Sequence, residues 1–162
     1  MKKTSYSLVI FIILTIINGC AGYEPIFGSS NLNFTVSDYS IKGDKKLGNA
    51  IYSKLYSLSK SNENIEGVKN IYVIIHASKE KEATAKNSAG NILGYRIMIS
   101  TDITVKDLKT GKDILSKNFS YSLTYATQDQ FSETTKLENQ VIENLINKTY
   151  EDLLLNLTDK LS

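Results

Sequence analysis

Apolar and polar positions alternate with a period of two from Tyr95 to Lys106, and again from Ile114 to Tyr125. In the first run Tyr95, Ile97, Ile99, Thr101, Ile103 and Val105 share one side. Arg96, Met98, Ser100, Asp102, Thr104 and Lys106 share the other. Successive side chains leave a pleated chain in opposite directions, so this alternation predicts a strand with one dry and one wet face. The second run sets Leu115, Lys117, Phe119, Tyr121, Leu123 and Tyr125 against Ile114, Ser116, Asn118, Ser120, Ser122 and Thr124. Between the runs stands Asp107-Leu108-Lys109-Thr110-Gly111-Lys112, a polar turn with one glycine for a positive φ. The stretch from Gly94 to Ala126 therefore predicts an antiparallel hairpin. A hairpin alone is marginal in water, so its apolar face needs a cover.

The flanking segments supply one. Asn33 to Ile41 alternates weakly through Phe34, Val36, Tyr39 and Ile41 and predicts an edge strand. Asp44 is suited to cap a following helix, in which Leu47, Ile51, Leu55 and Leu58 form one stripe widened by Tyr52 and Tyr56. Ser61 to Asn64 ends that helix as a loop. Asn70 to Ala77 predicts a second strand, central because both of its sides carry apolar residues. Lys79-Glu80-Lys81-Glu82 continues it as a solvated edge that discourages sheet-to-sheet association. Ala85 to Asn91 then reads as a small-residue turn.

The last element is the strongest helical pattern. Leu137, Val141, Leu145, Leu153, Leu157 and Leu161 recur at multiples of four, with Ser132 or Thr134 as the cap and Glu133 near the positive end. It predicts a helix about 40 Å long at 1.5 Å per residue. The expected fold class is α+β, with two helices packed on one face of a four-stranded mixed or antiparallel sheet. The first strand crosses by way of its helix and is free to pair in parallel.

Composition narrows the function. The chain has 162 residues and a formal net charge of +2, about one domain. Residues 1–19 carry Lys2 and Lys3, so their removal leaves 17 basic residues (19 less 2) against 17 acidic. That balance argues against a nucleic-acid binder. At the N-terminus a positive start precedes a short apolar run, Tyr6 to Ile17, that is too short to span the ~30 Å hydrocarbon core. Such a run, broken at Ile17-Asn18-Gly19-Cys20, has the form of a secretory signal and resembles the bacterial lipobox. The expected organisation is a lipoprotein signal peptide over residues 1–19, a lipid-anchored segment over 20–31 with the lipid on Cys20, and a single domain over 32–162. The lipobox resemblance implies a diacylglyceryl group and an amide-linked acyl chain. Each buried methylene is worth ~0.8 kcal/mol, so several chains anchor durably. No aspartate follows the cysteine, and the expected location is the outer membrane on its periplasmic side.

Catalytic patterns are lacking. His76 is the one histidine, in mid-strand, and Cys20 is the one cysteine. Neither a nucleophile-base pair nor a set of zinc ligands can be assembled from them. No glycine-rich phosphate loop precedes a helix. The chain is expected to be no enzyme and to need no metal or cofactor. Three basic positions stand apart: Lys86 before the hairpin, Arg96 as the sole arginine, and Lys136 at the start of the last helix. Brought to one end of the sheet, they suit anionic phosphates.

The order of these pieces resembles the LPS-assembly lipoprotein LptE family. The resemblance rests on Cys20 followed closely by Gly22-Tyr23-Glu24-Pro25-Ile26-Phe27. It continues in Gly94-Tyr95-Arg96-Ile97, the turn from Asp107 to Gly111, Ser122-Leu123-Thr124-Tyr125, and Gln128 to Phe131 before a long C-terminal helix. Ala21 is inserted where the family's cysteine usually abuts the glycine. The resemblance implies a stable complex with the outer-membrane barrel LptD, whose lumen the lipoprotein plugs. It also implies a part in assembling that barrel and delivering lipopolysaccharide to the outer leaflet. Lys86 and Lys136 fall where the family places basic residues linked to lipopolysaccharide contact. A polar sheet face suits a wet lumen, and Ser116, Asn118, Ser120, Ser122 and Thr124 are the expected contact face for the barrel wall. Two other readings stand beside this one: a periplasm-facing carrier that binds a small amphiphile between sheet and helices without a barrel partner, and an envelope hydrolase with a cleft of perturbed acids.

Overall fold

A computed structural model of the chain describes residues 34–60 and 67–161. The expected signal peptide, Cys20, the segment 20–31 and the loop Ser61 to Asn64 lie outside the described residues. Six elements follow in order: β1 (Phe34–Gly43), α1 (Lys45–Lys60), β2 (Lys69–Lys86), β3 (Ile92–Asp107), β4 (Asp113–Ala126) and α2 (Phe131–Leu161). The strands lie side by side in the order β1-β2-β3-β4. β1 runs parallel to β2, and the other two pairs are antiparallel. This is the mixed α+β sheet the patterning predicts, with the parallel crossover made through α1.

Local chemistry explains the junctions. Gly43 ends β1 at φ +75° with its backbone against the carbonyl of Ala77, so a Cβ there has no room. The Oδ1 of Asp44 then accepts the N–H groups of Lys46 and Leu47 at 3.0 and 3.1 Å, which caps α1 as its position suggests. Gly48 brings α1 close onto Ile41, since a Cβ would collide with that side chain. At the hairpin turn Asp107 Oδ1 accepts the Thr110 N–H at 2.7 Å, and Gly111 takes φ +69°.

Both helices cover one face of the sheet. Phe34, Ile51, Leu55, Ile71, Ile75, Ile97, Ile99, Ile103, Leu145, Leu153 and Leu157 are fully buried between the layers. At ~25 cal/mol per Å² of apolar surface, this layer is the main source of stability. Thr101 alone among the described residues buries a side-chain oxygen there with no partner.

Two boundaries differ from the sequence reading. β2 continues to Lys86, and the turn shrinks to Asn87–Asn91. There Asn87 Oδ1 accepts the N–H groups of Ala89 and Asn91, and Gly90 takes φ +85°. Ala85 and Lys86 belong to the strand because they pair with Gly94 and Ile92 of β3. α2 begins at Phe131, and the Thr134 N–H donates to the Gln130 carbonyl. Neither Ser132 nor Thr134 caps it. The Thr134 hydroxyl instead reaches back and accepts the Gln128 N–H at 2.8 Å, pinning the loop that enters the helix.

Candidate functional site

The second face of the sheet has no covering layer among the described residues. Asp38, Ser40 and Lys42 of β1 register with Tyr72, Ile74 and His76 of β2. These in turn register with Lys106, Thr104 and Asp102 of β3, and β3 places Ser100, Asp102 and Thr104 opposite Ser120, Asn118 and Ser116. The five expected contact residues, Ser116, Asn118, Ser120, Ser122 and Thr124, are all exposed on this one surface. Their sequence alternation is thus realised as a continuous polar strip along an outer strand.

Short cross-strand bonds hold the strip in place. The Asn118 Nδ2 donates to Asp102 Oδ1 at 2.7 Å and to the Ser100 hydroxyl at 3.2 Å, and the Thr104 and Ser116 hydroxyls stand 3.3 Å apart. Lys106 meets Asp113 at 2.7 Å. His76 is exposed on this face with Nδ1 4.0 Å from Asp102 Oδ2. Such pairs preset a polar surface without drying it, as suits contact through water or hydroxyl bonds.

The three singled-out basic residues share one end of the sheet but not one face. Lys86 closes β2 opposite Ile92 and so belongs to the strand end rather than to the turn. Arg96 lies on the open face, where its Nη1 donates to Glu82 Oε1 at 2.9 Å. Lys136 is exposed near the start of α2, on the covered side, so the sheet separates it from Arg96. Glu82 pairs with one nitrogen of the Arg96 guanidinium, while Lys86 and Lys136 hold no ion pair among the described residues.

Sequence reading missed two polar tethers under α2. Lys81 Nζ meets Glu138 Oε2 at 2.6 Å, the Tyr125 hydroxyl donates to the same oxygen at 2.9 Å, and Lys81 sits 4.2 Å over the Tyr95 ring. The Lys81 bond holds the Glu138 carboxyl below its ordinary value. Burial alone acts to lower Lys81, but its bonds to Glu138 and Tyr125 prevail and raise it. Further along, the Tyr121 hydroxyl donates to Asp152, which Lys148 also meets at 3.1 Å. Burial, then the bond to Asp152, pushes the Tyr121 hydroxyl up to about 12, and the same bond draws Asp152 down. These groups are spent on holding the helix to the sheet.

The covered side also bears a groove of about 460 Å³ between the start of α1 and α2, floored by Leu47, Ala50, Ile142 and Ile146. Among the described residues no cluster of three or more His, Cys, Asp or Glu is placed to hold a metal ion. No described helix is long and apolar enough to cross a membrane.

No family model matches the chain, and no curated protein matches it by sequence. Solved structures match it by shape. A candidate lipoprotein of Caulobacter crescentus CB15 is similar over 82% of this chain and 94% of its own, with TM-score 0.54 and 16% identity. Lipoprotein B of Nitrosomonas europaea is similar over 82% of this chain and 88% of its own, at TM-score 0.54 and 14% identity. A minor lipoprotein of Acinetobacter baumannii is similar over 78% and 93%, at 0.52 and 9%. At such identities the likeness shows a shared fold: two helices on one side of a four-stranded mixed sheet.

Proposed function

We propose that this chain is a non-catalytic, lipid-anchored lipoprotein on the periplasmic side of the outer membrane. Its bare sheet face would seat it against the inner wall of an LptD-type β-barrel, supporting barrel assembly and passage of lipopolysaccharide to the outer leaflet. The observation that carries this reading is the asymmetry of the sheet. One face is sealed by both helices, while the other is bare and carries along β4 a continuous strip of serine, threonine and asparagine. The lumen of an outer-membrane barrel is polar and wet, and a surface of hydroxyls and amides satisfies such a wall without a dry seal. The fold shared with lipoproteins of other bacteria and the lipobox-like run ending at Cys20 support the anchor.

Lys86, Lys136 and Arg96 would be the contacts for lipopolysaccharide phosphates, Arg96 with Glu82 beside it. The carrier reading needs a chamber between sheet and helices; Ile51, Leu145 and Leu153 are buried in that layer, and the groove beside it lies between α1 and α2.

The test is recovery of the tagged full chain from detergent-solubilised outer membrane. The expected result is one large barrel protein in constant ratio, reduced by Ser120→Arg with the fold unchanged. Recovery of the chain alone, or unchanged recovery in the variant, rejects the reading. Cys20→Ser should release the chain from membranes and abolish acyl labelling.

A further inference from the structure

We propose that the free edge of β2, from Ser78 to Lys86, receives one extended strand of a different polypeptide whose residues alternate acidic and basic. β1 accompanies β2 only as far as the pair Gly43–Ala77, whereas β3 accompanies it to Lys86. Beyond Ala77, β2 therefore has a strand on one side only among the described residues. The direction of the vacant hydrogen bonds is fixed by one contact. The Asp44 N–H donates to the Ala77 carbonyl at 2.7 Å, so Ala77 faces the β1 side. By alternation Lys79, Lys81 and Ala83 aim their N–H and C=O groups the same way, and Ser78, Glu80 and Glu82 aim theirs at β3. A row of outward amides of this kind is a template for strand addition.

The side chains choose the occupant. On this edge Lys79 and Lys81 lie toward the helix layer, and Glu80 and Glu82 lie on the open face. Two copies of the chain pairing antiparallel through the edge would be related by a two-fold axis normal to the sheet. Such an axis keeps residues of one face opposite residues of the same face in every register. In the registers centred on Glu80 or Lys81, lysine then stands against lysine and glutamate against glutamate, which is destabilising. A foreign strand with acids toward the helix layer and bases toward the open face meets the opposite charge at Lys79, Glu80, Lys81 and Glu82. Lys81 and Glu82 already hold Glu138 and Arg96, but Lys79 and Glu80 hold no ion pair among the described residues. Beside Lys79 opens the groove floored by Leu47, Ala50, Ile142 and Ile146. It has room for one apolar side chain of the incoming strand. The covered half of β2 offers none of this, because β1 occupies its edge.

The probe is a capped synthetic peptide that alternates glutamate and lysine around one isoleucine, added to the detergent-solubilised full chain. The expected result is saturable binding by fluorescence anisotropy, with slowed amide exchange at Lys79, Lys81 and Ala83 in NMR spectra. N-methylation of alternate peptide residues should weaken binding at least about tenfold. Ala83→Pro should do the same, since it removes an outward N–H without touching the β3 ladder. Lys79→Glu, which leaves every backbone group in place, should weaken it severalfold with the fold retained by circular dichroism. Equal binding of the N-methylated peptide means charge attraction alone and overturns the proposal. So does binding that leaves those three amides unprotected, an absence of binding, or cross-linking of the chain to itself through this edge. None of these outcomes bears on the open sheet face, so this proposal and the barrel reading stand or fall separately.

Discussion

The two faces of the sheet come from the same strands and the same alternation, yet one is covered by helices and the other is bare among the described residues. On the helix side Ile71, Val73, Ile75, Ile97, Ile99 and Ile103 are wholly removed from water. On the other side of the same strands Glu80, Ser100, Asn118 and Ser120 look outward, and Asn118 is ordered there by bonds to Ser100 and Asp102 rather than by packing. A face of hydroxyls and amides gains little from burial in an apolar layer, because each group must recover its hydrogen bond. It gains most against a wall that stays wet. The contrast teaches that the covered face sets stability, while the bare face is free to serve contact.

The largest test of that division is a pair of substitutions one face apart. Ile103→Ala should cost about 2–5 kcal/mol in denaturant unfolding, because it leaves a cavity between fully buried neighbours. Ser120→Ala and Ser120→Arg should each stay within about 0.5 kcal/mol. Comparable losses on both faces would mean that the bare face also carries the fold.

A smaller effect sharpens the picture of how α2 is held. Glu138→Gln removes the partner of Lys81 and should cost about 1 kcal/mol, as should Asp152→Asn beneath Tyr121. Both carboxyls are held below their ordinary values of 4.5 and 3.8. Their contribution is therefore complete above those values and is lost as pH falls through the lower folded-state ones. Lys79, Lys81 and Tyr125 face Glu138, and Lys117, Lys148 and Tyr121 face Asp152. The melting midpoint should drop between pH 7 and pH 3, and drop less in Glu138→Gln. The smallest effect has the opposite sign. Thr101→Val removes the one buried hydroxyl without a partner among the described residues and should stabilise by about 1 kcal/mol in the same measurement.

How much of this was legible depended on distance along the chain. The β3–β4 hairpin declares itself because alternation and turn are local, and Gly111 does take a positive φ. The Asp44 cap is local for the same reason. The parallel pairing of β1 was left open by its helix crossover and is realised. Ala85 and Lys86 look like a turn because they are small or charged, yet the register with Gly94 and Ile92 carries them into β2. Thr134 has the composition of a cap, but its hydroxyl serves the loop before the helix. The tether from Lys81 to Glu138 spans 57 positions, and no periodicity announces it. Arg96 stands out by rarity, while its pairing with Glu82 follows only from strand register. The five polar residues of β4 were readable as one face, since a strand's period of two decides that without any long-range information.

The central claim, that the bare face meets a barrel wall, is tested most directly by a photoreactive residue placed in the full-length chain in cells. It would stand at Ser120 on the bare face or at Leu155, which is 58% exposed on α2. The account predicts one cross-linked species from Ser120, identified by mass spectrometry as an outer-membrane β-barrel, and much less of it from Leu155. Capture of that barrel from Leu155 alone, or of no barrel from Ser120, would contradict it.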